Sequence, residues 1–189
     1  MAFRTPTAVL FLCAGNSTRS ILAEATLRHL AGSRWTAHSA GLYPVDHVHR
    51  HTLWQLETAQ MKRAGLSSKS WQAFRGPEAP KLDAVITLCN DTAAWVQPEM
   101  FGDAALAHWS VADPLTSLGD ERFLRRAFAD AHRWIRHRVE RLIELPAETF
   151  DRSTLEAHLR AIGESHPFRA TSLRREHALR WSELQLFAP

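Results

Sequence analysis

The stretch TAVLFLCAGNSTRSILAEATLRHL, residues 7–30, combines an apolar run, a short turn and a helical pattern. Its apolar run at 8–12 is continuous and ends at a turn, which is typical of a strand buried on both faces of a parallel sheet. From residue 19 onward the apolar residues recur at helical spacing and predict a helix over 19–31. The turn between them contains Gly15 and begins directly after Cys13. The stretch therefore reads as a strand-loop-helix unit with a cysteine at the end of its strand.

The rest of the chain repeats this alternation of strands and helices. Further strands are predicted at 34–41, 82–89 and 106–111, and helices at 52–65 and 120–144. Gly65 is expected to end the helix at 52–65 as a glycine C-cap. Strands separated by helices indicate an α/β fold with a parallel sheet and helices on both of its faces.

Length and composition favour one main domain. The chain has 189 residues, of which 45% are hydrophobic and 23% charged, enough for one globular core. We predict this domain over 1–145 and a helical C-terminal extension over 146–189, with helices near 153–162 and 173–187. The apolar residues of the extension are expected to cover the domain or a second copy of it, as in a homodimer. The sequence has neither an apolar span of roughly 18 residues nor a secretory signal, so we expect a cytoplasmic protein that does not span a membrane.

The predicted helix at 120–144 is rich in arginine, which raises nucleic-acid binding as an alternative. These arginines are expected to lie opposite the apolar stripe, mixed with acidic residues and without interleaved aromatic residues. A solvated helix surface is therefore predicted, and no nucleic-acid partner. The residues are Arg122, Arg125, Arg126, Arg133, Arg136, Arg138 and Arg141.

The loop after the first strand carries the chemistry. In an open parallel sheet, ligands bind at the carboxyl ends of strands, where loop N–H groups and a helix N-terminus form an anion site. Cys13 and Arg19 have the spacing C-x5-R, which would place a stabilised thiolate beside a guanidinium that can grip two oxygens of a tetrahedral anion. This spacing alone also fits ordinary packing, but the strand, glycine and helix around it favour attack on phosphorus or arsenic. The predicted oxyanion-binding residues are Ala14, Gly15, Asn16, Ser17, Thr18, Arg19 and Ser20.

With these features, VLFLCAGNSTRSILAEA (9–25) resembles the phosphate-binding loop of the low-molecular-weight protein tyrosine phosphatase superfamily, in particular its arsenate reductases. The resemblance continues through HSAG (38–41), SKSWQAF (68–74), VITLCND (85–91), HWSVADP (108–114) and LEAHLRAIGES (155–165). It implies the family fold, a four-stranded parallel sheet with flanking helices. The SKSW and HWxxxDP motifs are more similar to the reductase branch than to the phosphatase branch.

The resemblance also implies catalytic roles for four residues. Cys13 would be the nucleophile, Arg19 would hold the oxyanion, and Asp113, in a loop fixed by Pro114, would be the general acid. Cys89 would attack Cys13 after the first step, release arsenite and leave a disulfide. Asp113 can also be an ordinary turn residue, and Cys89 an ordinary packing residue.

Two departures from the family pattern bear on function. Many of these reductases have a third cysteine eight positions after the second, where this chain has Gln97, so the two cysteines would need an external reductant. A low-molecular-weight thiol, a glutaredoxin or a thioredoxin-like protein would serve, and no further cofactor is expected. Phosphatases of the family carry tyrosines after the Asp-Pro pair, whereas this chain has Leu115, Thr116 and Ser117.

No metal site is predicted. Asn16, Glu24 and Ser39 match potassium ligands of some family members, but the remaining acidic ligand has no match. The run DHVHRH (46–51) has histidines at alternate positions, which can bind zinc on a strand, but it precedes a helix and is expected to be a solvated loop.

The sequence thus predicts an arsenate reductase-like enzyme. A phosphatase that hydrolyses phosphomonoesters through a phosphocysteine is the first alternative. A non-catalytic oxyanion-binding or redox-responsive module is the second.

Overall fold

The four predicted strands form one parallel sheet. A computed structural model describes residues 7–117, 119–145 and 151–167. The strands are β1 (Thr7–Cys13), β2 (Trp35–Gly41), β3 (Ala84–Thr87) and β4 (Ala105–His108), in the spatial order β2-β1-β3-β4. All neighbouring pairs are parallel. The predicted fold class is confirmed.

Five α-helices accompany the sheet in the described ranges. They are α1 (Arg19–Leu30), α2 (Arg50–Thr58), α3 (Asn90–Trp95), α4 (Glu121–Ile143) and α5 (Arg152–Gly163). The sequence did not predict α3, which at six residues is too short to show a helical period. The helix predicted near 173–187 lies outside the described residues, and the domain boundary at 145 stays a prediction. No helix in the described ranges is long and apolar enough to cross a membrane.

The sheet separates two apolar layers. β1 is central, and its residues from Val9 to Cys13 are buried. One layer joins β1 to α1 and α4, and α5 adds Leu155, Leu159 and Ile162 to it. The other layer packs aromatic residues of short turns against Leu10 and Leu12. α5 is therefore part of the core and does not stand apart from it.

The end of α2 differs from the prediction. The helix ends at Thr58 and does not reach Gly65. The N–H of Met61 donates to Leu56 O and that of Gln60 to Glu57 O, both at 2.9 Å, the two hydrogen bonds of a Schellman motif. Gln60 takes the left-handed conformation that glycine usually supplies, with φ 56°. Because Met61 is buried and is the last residue of this motif, its burial helps to fix an early helix end without glycine.

The arginine-rich surface of α4 also needs one correction. Six of the seven arginines are exposed, and five of them pair with nearby Asp or Glu residues. Arg138 is instead 3% exposed, so the prediction of a solvated side chain is wrong for it. Residues 131, 135, 138 and 142 follow the i, i+4, i+7, i+11 period of a buried helix face. The position is therefore a core position that holds a charged residue.

A buried histidine, His132, links α4 to α1 and α2. Its Nε2 donates to Thr26 Oγ1 at 3.1 Å, and the Thr26 hydroxyl donates to Leu22 O at 2.6 Å. Its Nδ1 accepts from Gln55 Nε2 at 3.0 Å. Burial lowers the pKa of His132 to about 4. The neutral ring is thus the form that fits the folded chain.

This histidine should make the fold sensitive to acid. Between pH 8 and pH 5 the unfolded chain binds a proton on His132 that the folded chain does not, so the free energy of unfolding should fall by about 2 kcal/mol through this residue. Urea unfolding at both pH values should show a drop that is smaller by this amount in His132→Gln. The other histidines whose pKa burial lowers are His38, His49, His108 and His137, and they act equally in both chains. Equal drops in the two chains would contradict the role of His132.

Candidate oxyanion site

Cys13 ends β1 at the floor of a loop in which the carbonyl groups of residues 13, 14, 15 and 17 accept hydrogen bonds from one neighbouring segment. Cys13 is 2% exposed. The segment after β2 runs along the loop and donates its N–H groups to the loop carbonyls: Leu42 to Cys13, Tyr43 to Ala14, Val45 to Gly15 and His49 to Ser17, at 2.9 to 3.2 Å. Within the described ranges, no group accepts a hydrogen bond from the N–H groups of residues 14–18. These N–H groups are the donors that an oxyanion requires.

The start of α1 adds positive potential to this loop. Thr18 is the N-cap residue, its side chain makes no capping hydrogen bond, and the first turn of α1 holds no acidic residue. The helix N-terminus therefore keeps its partial positive charge for a ligand.

Arg19 joins the loop to the loop after β4. Its Nη2 lies 2.8 Å from Asp113 Oδ2, and its Nη1 donates to Val111 O at 3.2 Å. The Arg19 side chain is 9% exposed, and its Nε has no acceptor among the described residues. The guanidinium thus keeps one buried N–H donor free. It lies beside the N–H groups of residues 14–18, and together these donors form what we call the oxyanion cradle.

Asp113 serves its own loop and the site together. Its Oδ1 accepts from Leu115 N at 3.0 Å and begins a short 3-10 turn, while Oδ2 pairs with Arg19. Asp113 is therefore a turn residue, as the alternative predicts, and at the same time it lies beside Arg19, as the active-site hypothesis predicts. The side chain stays 31% exposed, open to a ligand beside Arg19.

A buried polar network fixes Cys13 and the loop. Asn16 has φ 44° and is fully buried. Its Nδ2 donates to Ser20 Oγ at 2.8 Å and Ser39 Oγ at 2.9 Å, and its Oδ1 accepts from Lys69 N at 2.6 Å. Because Ser20 Oγ accepts from Asn16, its own proton is free to point at Cys13 Sγ, 2.9 Å away. The Ser20 hydroxyl is therefore a donor directed at the Cys13 sulfur.

The residues that match potassium ligands do not fit a metal ion here. Glu24 is fully buried, accepts from Ser39 Oγ and forms an ion pair with Arg28. Lys69 Nζ lies 3.4 Å from Glu24 Oε2. Two protein cations already compensate this carboxylate, so a further cation would be repelled.

Gly41 lets β2 approach the loop. A Cβ at this position would lie 2.8 Å from Ala14 O and 2.9 Å from Asn16 N. Any side chain would therefore push the strand away from the cradle. The residue lay within the HSAG motif, but its packing role and the pairing of residues 42–49 with the loop were not foreseen.

The histidines of 46–51 pack against α4. His49 and His51 lie with their ring centroids 5.4 and 5.5 Å from that of Phe128. The prediction of a solvated loop is wrong for His51, which is buried, because the following helix begins at Arg50 and turns it inward. The residues that the structure describes contain no group of three or more side chains suited to a metal ion.

Cys89 lies at the same edge of the sheet as Cys13. The N–H of Leu88 donates to Leu12 O at 2.8 Å, so each cysteine directly follows one member of a bonded pair on neighbouring strands. In the register of β1 and β3, Leu12 lies opposite Thr87, so Cys89 lies one residue beyond the position opposite Cys13. Cys89 is 8% exposed, and its Sγ contacts Thr92 Oγ1 at 2.8 Å. Both cysteines are free thiols.

Gln97 lies past α3, where it is exposed and begins a short 3-10 turn at Pro98–Phe101.

The structure brings Cys13, Arg19, Asp113 and Cys89 to one edge of the sheet. Their catalytic roles stay predictions at this point.

Comparisons of the sequence with known proteins find similarity over most of the chain. The model of the low molecular weight phosphotyrosine protein phosphatase family matches residues 8–153. An arsenate reductase of Bacillus licheniformis is 31% identical over 138 residues, which cover 72% of this chain and 94% of that protein.

Solved structures are similar as well. An arsenate reductase in a phosphate-binding state has a TM-score of 0.58 and 25% identity over 72% of this chain and 96% of its own. A thioredoxin-dependent arsenate reductase of Corynebacterium glutamicum has a TM-score of 0.53 and 25% identity over 75% of this chain and 63% of its own.

Proposed function

Because the chain belongs to the low molecular weight phosphotyrosine protein phosphatase family, we propose that it is a thiol-dependent arsenate reductase of that family. One observation carries the proposal: the free N–H groups of the loop and Arg19 surround Cys13, and Cys89 lies at the end of the neighbouring strand. The loop N–H groups and Arg19 suit any tetrahedral oxyanion. The second thiol at the same edge favours a reduction over a hydrolysis.

The first step is attack of the Cys13 thiolate on arsenic. A sulfur–arsenic bond forms, an arsenic–oxygen bond breaks, and Asp113 gives its proton to the departing oxygen, which leaves as water. Arg19 turns from Asp113 to the oxyanion, which leaves the Asp113 carboxyl group free to face the departing oxygen. The loop N–H groups hold the remaining oxygens through the transition state.

The second step uses Cys89. Its thiolate attacks Cys13 Sγ, so that a disulfide forms and the sulfur–arsenic bond breaks. The electron pair of that bond stays on arsenic, which leaves as arsenite, reduced by two electrons. The chain is oxidised by the same two electrons and carries a Cys13–Cys89 disulfide.

Regeneration requires an outside reductant. The sequence has two cysteines in all, so the disulfide cannot pass to a third thiol of the same chain. A thioredoxin-like protein, a glutaredoxin or a low-molecular-weight thiol would have to reduce it. The thioredoxin dependence of the similar Corynebacterium glutamicum reductase supports the first of these. The cytoplasmic location and the homodimer stay predictions.

Phosphomonoester hydrolysis is the second candidate function. The family is named for phosphatases, and Asp113 beside Arg19 fits protonation of an ester oxygen. This activity would use Cys13, Arg19 and Asp113 but not Cys89. The two candidates therefore differ in the fate of the second thiol.

A single-turnover experiment tests the proposal. Reduced protein in excess over arsenate, with no added thiol, should lose two thiols for each arsenite released. In Cys89→Ser, the Cys13 adduct cannot be resolved within the chain, so we expect no arsenite and no disulfide. Arsenite is measured by chromatography and thiols by reaction with a disulfide dye after denaturation. Hydrolysis of an aryl phosphate without any arsenite in the native chain would replace the proposal by the phosphatase.

A further inference from the structure

The loop that carries Asp113 is also held by groups other than Arg19. Trp109 is fully buried, its N–H donates to Thr87 O at 2.8 Å, and its Nε1 donates to Leu159 O of α5 at 2.8 Å. The N–H of Val111 donates to Leu88 O at 3.1 Å. The start of this loop is therefore anchored to β3 and to α5 before the chain reaches Asp113.

Arg138 supplies the remaining anchor. Its Nη1 donates to Ser110 O at 2.8 Å, and its Nη2 donates to Gly163 O at 2.9 Å. Ser110 lies between the two anchored residues Trp109 and Val111. The single side chain of Arg138 thus connects α4 to the last turn of α5 and to residues 109–113, the loop that carries Asp113, which we call the acid loop.

The fit between α5 and the acid loop is close. A Cβ on Gly163 would lie 2.6 Å from His108 O and 2.8 Å from Trp109 Cδ1. The carbonyl end of α5 carries partial negative charge, which favours a guanidinium there.

Arg138 places a positive charge at a buried position. No carboxylate among the described residues pairs with Arg138, whose Nε also lacks an acceptor there. Burial lowers the pKa of Arg138 to about 10, so the side chain remains charged at neutral pH. A buried charge is often replaceable by an apolar side chain without loss of stability. Stability alone therefore does not explain it.

We infer that Arg138, acting with the C-terminal turn of α5, is a positioning residue for Asp113. The inference rests on the proposed function, in which Asp113 gives a proton to the departing oxygen. Arg138 donates to Ser110 O, Arg19 donates to Val111 O and Asp113, and the loop segment that leads to the carboxyl group is fixed by both. A displacement of about 1 Å at a catalytic group can cost about 100-fold in rate.

A double-mutant cycle tests this inference. The rate constant of arsenite formation in a single turnover should fall about 10- to 100-fold in Arg138→Met. In an Asp113→Asn background the same change should cost less than about twofold, because the acid is already absent. Arg136→Met, on an exposed position of the same helix, should keep the native rate. Equal falls in both backgrounds would indicate a general structural defect and overturn the inference.

Two further variants and one binding measurement keep the outcome readable. If Arg138→Met fails to fold, Gly163→Ala takes its place in the cycle, because it perturbs the same contact from α5. Its effect on the rate constant should depend on Asp113 in the same way. If the native chain forms no arsenite, the proposed function fails. The cycle is then measured as the dissociation constant of inorganic phosphate, which depends on Arg19 and Asp113 without chemistry. Additive changes in that constant overturn the positioning role, and non-additive changes support it.

Discussion

Replacement of Cys13 by serine should abolish both arsenite release and thiol loss while oxyanion binding remains. A hydroxyl is not ionised at neutral pH, and no general base contacts this position among the described residues: Ser20 is the hydrogen-bond partner of the sulfur. A thiolate is both the stronger nucleophile and the only group that can later exchange into a disulfide. The loop N–H groups and Arg19 are unchanged in this variant. We therefore expect a fall in rate of more than about 10⁴-fold, the scale lost when an activated nucleophile is removed.

The measurement separates chemistry from binding. Arsenite formation and total thiols are followed in one turnover, and inorganic phosphate is titrated calorimetrically into the same Cys13→Ser protein. Cys89→Ser is the matched control, because it also removes one thiol but should still consume arsenate at Cys13. Arsenite formation by Cys13→Ser at a rate within tenfold of the native rate would rule out Cys13 as the nucleophile.

The central unit of the fold was predictable because its signals are local. A continuous apolar run reports a strand buried on both faces, and β1 is buried from Val9 to Cys13. The apolar residues of α1 recur at helical spacing and thereby predict the helix. Cys13 and Arg19 belong to this one unit, so the sequence places them in the same loop.

Contacts between distant segments were not predictable in this way. Arg19 and Asp113 are 94 residues apart, and only the resemblance placed Asp113 near the site. The pairing of residues 42–49 with the loop uses main-chain groups, which leave no pattern of residue types. Arg138 differs from the prediction because its place in the helical period, and not its charge, determines its burial, and backbone carbonyls bind the buried charge.

Replacement of Arg19 by lysine should be the second most damaging change. Lysine keeps the positive charge but loses the planar fork that reaches Val111 O and Asp113 together and leaves a donor for the oxyanion. One ammonium cannot replace three directed donors. We expect phosphate to bind about 10- to 100-fold more weakly and the single-turnover rate to fall about 10²- to 10³-fold, as when one donor of an oxyanion site is removed.

Arg122→Lys is the matched control for this substitution. Arg122 is exposed on α4 and pairs with Asp120 at 3.3 Å, so its replacement should change neither phosphate binding nor the rate. If Arg19→Lys also leaves both quantities within threefold of the native values, Arg19 supplies only charge to the cradle. The helix N-terminus and the N–H groups of residues 14–18 would then carry the recognition of the oxyanion. A larger loss of rate than of affinity assigns the guanidinium fork to the transition state of the step at arsenic, where it holds the oxygens that stay on arsenic.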